Sequence, residues 1–66
     1  MGALQNFVNQ FGLGISKKEL ATRAYRIMRA QGRDVCIINE KYVEMDGVDY
    51  QFIKSKAQHR WIVKSF

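Results

Sequence analysis

The apolar spacing of this chain changes period at Gly32, and the change divides it into a helix-forming first half and a strand-forming second half. Before Gly32, apolar residues recur every three or four positions: Leu4, Phe7, Val8 and Phe11, then Leu20, Ala21, Ala24, Ile27 and Met28. After it, β-branched and aromatic residues alternate with polar ones at a period of two. A chain with this order has little choice but to lay helices against an antiparallel sheet.

The spacing in residues 3–11 predicts a short amphipathic helix, ended by Gly12-Leu13-Gly14, where two glycines favour a turn over helix. Ser16 is a good N-cap for a second helix, and Glu19 three residues later completes a capping box. Ile15 and Leu20 form the matching hydrophobic staple. This helix is expected over 16–31, with Gly32 as its C-terminal stop. At about 100° per residue, Leu20, Ala21, Ala24, Ile27 and Met28 share one side, and Lys18, Thr22, Arg26, Arg29 and Arg33 share the opposite one.

Val35-Cys36-Ile37-Ile38 reads as a first strand, turning at Asn39-Glu40-Lys41. Asp46-Gly47 between two alternating runs is the signal for a type I′ hairpin, and it sets a register: Met45 opposite Val48, Val43 opposite Tyr50, Lys41 opposite Phe52. A four-residue loop, Lys56-Ala57-Gln58-His59, would then pair Phe52 with Val63 and Ile53 with Ile62. One sheet face becomes apolar through Val43, Met45, Val48, Tyr50, Phe52, Trp61 and Val63, and the long helix is expected to cover it. The other face mixes Glu44, Asp49, Gln51 and Lys64 with Tyr42, Ile53 and Ile62, for which the first helix is the expected cover. If that helix leaves them open, the three form a second interaction face or a homodimer site.

Sixty-six residues at 47% apolar make one folded α+β domain, and a chain of this size buries only about 60% of its unfolded surface. Most enzyme clefts need more scaffold. One cysteine rules out an internal disulfide, and one His with one Cys falls short of a zinc ligand set. Cys36 is expected as a packed thiol within a strand and His59 as a solvated loop residue, so neither is assigned a catalytic role. Glu44, Asp46 and Asp49 lack calcium-loop spacing and read as a solvated hairpin tip. No cofactor is expected. The N-terminus carries neither a secretory signal nor a full myristoylation pattern, and no apolar run approaches the roughly 20 residues of a membrane span, so cytoplasmic residence without membrane contact is the expectation.

All of the net charge, +5, lies between Lys17 and Arg33, where six bases face the single acid Glu19; the remaining bases and acids cancel. A concentrated positive face steers association with anions. Glu19 can pair with Arg23, and arginine suits phosphate and carboxylate alike.

Residues 4–12 followed by Ile15-Ser16-Lys17-Lys18-Glu19-Leu20 loosely resemble the helix-turn-helix of DNA-binding proteins, and the later hairpin resembles the wing of a winged helix. The resemblance implies that Lys17, Lys18, Thr22 and Arg26 face the major groove. The turn is longer than the usual three or four residues, the usual first helix is missing, and the hairpin carries Glu44, Asp46 and Asp49.

The reading that follows is a single α+β domain spanning 1–66: two N-terminal helices, then an antiparallel meander of three or four strands, with the long helix packed on one sheet face. Its expected role is a small non-enzymatic binding module in which Lys18, Arg26, Arg29 and Arg33 contact an acidic macromolecule, with DNA or RNA placed ahead of protein. The alternative is a protein-interaction or inhibitory accessory protein, of the kind phages and mobile elements encode, bound to an acidic host protein. No small-molecule substrate is expected.

Overall fold

A computed structural model describes residues 2–39 and 42–65. The fold is α+β, two helices and a four-stranded antiparallel sheet. Helix α1 spans Ala3–Val8 and α2 spans Lys17–Ala30. Helix α1 is shorter than the apolar spacing through Phe11 suggests, while α2, with Ser16 and Gln31 as its caps, has the expected bounds. At α1, Gln10 and Phe11 donate back only three residues, to Phe7 and Val8, so the last turn tightens before the glycines.

Capping accounts for the limits of α2. Ser16 Oγ accepts the Glu19 N–H at 3.1 Å, one arm of the expected box, while the Glu19 carboxylate turns to Arg23 Nε at 3.0 Å. Leu20 is buried beneath half-buried Ile15, as the staple requires. At the far end Gly32 adopts φ 83, Gly32 N–H donates to Arg29 C=O at 2.9 Å, and Arg33 N–H donates to Met28 C=O at 3.0 Å. Those two bonds form a Schellman motif, which only a residue at ease with positive φ allows.

Strands β1 (Val35–Asn39), β2 (Tyr42–Met45), β3 (Val48–Ser55) and β4 (Arg60–Ser65) lie in chain order across the sheet. The pairs Met45↔Val48, Val43↔Tyr50, Phe52↔Val63 and Ile53↔Ile62 match the register read from the sequence. The Glu40-Lys41 turn and the Lys41–Phe52 pair lie outside the described residues. Asp46 and Gly47, at φ 53 and 82, make the type I′ turn. Between Ile37 and Asn39 the β1–β2 register slips by a bulge.

Both helices lie on the same face of the sheet, contrary to the expectation that α1 covers Tyr42, Ile53 and Ile62. Leu4, Phe7 and Val8 join Leu20, Ala21, Ala24, Met28, Val35, Val43, Met45, Phe52 and Trp61 in one core. The reason is width. A helix with side chains is about 10–12 Å across, whereas four strands at about 4.8 Å spacing are nearly twice that. Helix α2 therefore packs on β1 and β2, and α1 fills the remaining space beside β4. The Trp61 indole N–H donates to the Gly12 C=O at 3.1 Å, tying the segment after α1 over the same core.

Three further residues depart from expectation. Ile27, on the border between the two helices, stays 45% exposed, because the packed side of α2 is centred on Ala24 and Met28. Val48 is exposed at the hairpin end, beyond the reach of either helix, while Tyr50 and Val63 are half-buried against the core. Cys36 is exposed rather than packed, since it pairs with Glu44 and takes that residue's parity, on the sheet face opposite the helices.

Candidate functional site

The basic side chains of α2 fall into two groups. Lys18 and Arg26 are exposed, and among the described residues neither forms an ion pair. Lys17 is half-buried and likewise forms no ion pair among the described residues, whereas Arg23 and Arg29 of α2, and Arg33 just past its end, have partners within the protein. Arg29 is exposed and donates from Nη1 to the Tyr25 hydroxyl at 3.0 Å, its guanidinium 5.3 Å from that ring's centre. Arg33 is half-buried and donates from Nε to Asp46 Oδ2 at 2.6 Å. Arg23 pairs with Glu19 and lies over Phe11 at 5.7 Å.

Asp46 is therefore more than a solvated tip. Its carboxylate accepts from Arg33 and from the Asp34 N–H at 3.2 Å, and its own N–H donates to Asp34 C=O at 2.8 Å. The Arg33 bond first, and the Asp34 N–H second, hold its carboxyl below the ordinary aspartate range.

Of the positions that the helix-turn-helix resemblance places in a groove, Lys17 and Thr22 are half-buried and the Thr22 hydroxyl donates to Lys18 C=O at 2.9 Å. The hairpin likened to a wing is clamped at its turn by Arg33.

The opposite sheet face is uncovered by either helix. Tyr42, Ile53 and Ile62 are half-buried there, with Ile53 directly opposite Ile62 and Tyr42 opposite Gln51. Cys36, Glu44 and Asp49 form a row on the same face.

The two sheet edges are treated differently. On β4, Gln5 Nε2 donates to Trp61 C=O at 3.1 Å and Gln5 Oε1 accepts from Val63 N–H at 2.9 Å. One side-chain amide thus stands where the peptide of a fifth strand would. On β1 the parity is set by the Asp46 N–H bond to Asp34 C=O. Residues 44 and 46 direct their main-chain groups toward β1, and their partners 36 and 34 direct theirs back. By alternation Val35 and Ile37 point theirs outward, and among the described residues no side chain caps that pair as Gln5 caps the other. Ile37 and Ile38 are 42% and 52% exposed. Sequence reasoning missed this edge; the signal was an uncharged strand, Val35–Asn39, at the end of the meander.

Cys36 on β1 and His59 before β4 belong to opposite edges, so they do not meet. Among the described residues no three His, Cys, Asp or Glu side chains converge on one point. No described helix is long and apolar enough to cross a membrane. No protein-family model, curated protein or solved structure matches the chain.

Proposed function

We propose that this protein is a non-enzymatic binding module that holds an acidic partner against the outer face of α2. The observation that carries the reading is the exposed pair Lys18 and Arg26, two turns apart on one side-chain row and unopposed by acids, beside an oriented Arg29. An acidic protein suits this face better than a phosphate backbone does. Arg33 and Arg23 are already neutralised by Asp46 and Glu19, and exposed Ile27 sits next to Arg26 as an apolar anchor point. An accessory or inhibitory protein acting on another protein's surface fits that description.

Nucleic acid remains the second reading, favoured by the absence of any acid on the Lys18–Arg26 row. A salt titration of binding to random duplex DNA separates the two. With Lys18, Arg26 and Arg29 as the cations on this face, the log-log slope is about −2.7 and binding is confined to low salt; a slope of about −3.6 or steeper with tight binding at physiological salt would mean four or more cations on phosphates and would overturn the protein preference. The double variant K18A/R26A should remove the low-salt binding. If it changes nothing, the stripe is a solvated face and the acidic-partner reading fails.

A further inference from the structure

We infer that the outward edge of β1 accepts an extended segment of an acidic partner protein, which adds a fifth strand beside Ile37. The inference deepens the acidic-protein reading and rests on it.

The two edges present equivalent main-chain pairs, Trp61/Val63 on β4 and Val35/Ile37 on β1. The protein closes the first with the Gln5 amide. The second is left on an uncharged strand with Ile37 and Ile38 exposed, and an apolar edge with outward N–H and C=O groups is a template for another strand. Main-chain bonds would supply the docking, and Ile37 a contact for alternate side chains of the incoming segment.

Charge selects the occupant. Helix α2 packs on β1, and α1 lies at the β4 side, so the flank of α2 turned away from α1 overhangs the β1 edge. Arg23 and Ile27 face α1, through Phe11 and the recess they line with Phe7. At about 100° per residue the opposite flank carries Lys18, Tyr25 and Arg29. A strand arriving at β1 therefore meets cations on the helix side. A second copy of this chain, pairing about a twofold, would bring two such positive flanks together. An acidic segment is attracted where a second copy is repelled.

The test uses two eight-residue peptides, one alternating valine with glutamate and one alternating valine with glutamine, titrated into the intact protein with amide exchange followed by NMR. The expected result is slowed exchange at the Ile37 amide with the glutamate peptide, and an affinity about fivefold or more weaker in I37N, which removes the apolar contact and lowers strand propensity at the edge without adding a charge. I37P removes the outward N–H without touching a sheet bond and should weaken binding similarly, so misfolding of one variant does not decide the outcome. Binding that perturbs Lys18 and Arg26 but leaves Ile37 and both variants unaffected overturns the edge site while sparing the acidic-partner reading. Equal protection of Ile37 by the glutamine peptide keeps the edge site but overturns its acidic selectivity. Binding of neither peptide, or Ile37-dependent self-association without peptide, overturns the inference, the latter in favour of a homodimer. Protection of Lys18 and Arg26 by duplex DNA, with Ile37 unchanged, overturns it in favour of nucleic acid.

Discussion

Arg33 donates from Nε to Asp46 Oδ2 at 2.6 Å, joining the residue just past the Schellman end of α2 to the tip of the β2–β3 hairpin. Asp46 thereby serves two structures at once, since it also occupies the left-handed first position of the type I′ turn. Because its folded pKa lies below the ordinary carboxylate value of 3.8, the clamp's contribution is present above the unfolded pKa and is lost as pH falls through the folded one. D46N preserves the turn preference and removes the charge. We expect the variant to be less stable than the parent at neutral pH and to lose that difference progressively below about pH 4, as measured by urea unfolding across pH. A constant difference down to the lowest pH would mean the ion pair is not its source.

Gln5 closes the β4 edge, so Q5A leaves the Val63 N–H and the Trp61 C=O without their partner. The site is part-buried, and a cost of about 1–3 kcal/mol is expected by denaturant unfolding. The same variant should self-associate at high concentration, because a second edge is then open. An unchanged midpoint and a monomeric profile would show that water replaces the amide without loss.

Trp61 combines a buried ring with one polar bond to Gly12. W61A should cost about 3–5 kcal/mol, much of the stability of so small a domain. W61F retains most of the ring packing and should cost less, with faster amide exchange confined to residues 9–14. Exchange that quickens throughout the chain would point instead to a packing defect.

Replacing Ile53 and Ile62 by threonine on the open sheet face should alter stability by no more than about 0.5 kcal/mol each, since neither lies under a helix. Deleting residues 1–12 should unfold the protein, because Leu4, Phe7 and Val8 belong to the core. A folded truncated chain would place α1 outside that core. If the threonine pair abolishes a self-association present in the parent, Tyr42, Ile53 and Ile62 form a homodimer face.

The exposed thiol of Cys36 should react with a thiol reagent in the native protein at a rate that denaturant scarcely changes. Strong native protection would return Cys36 to a packed position.

What the sequence by itself determined is local. Ser16 and Gly32 bounded α2, Asp46-Gly47 set the β2–β3 register, and alternation placed Phe52 and Trp61 on the buried face, because caps, turns and periods act within a few residues. The cations of α2 were legible for the same reason. Which side α1 would take was not, since its amphipathic spacing fits either sheet face. Only the width of the four-stranded sheet against one helix, together with the Gln5 amide meeting β4 across the fold, decided it. The partners of Arg29 and Arg33, the exposure of Cys36 and the difference between the two edges also came from tertiary placement. A side chain's charge is written in the sequence, but what neutralises or covers it depends on segments brought together from far along the chain.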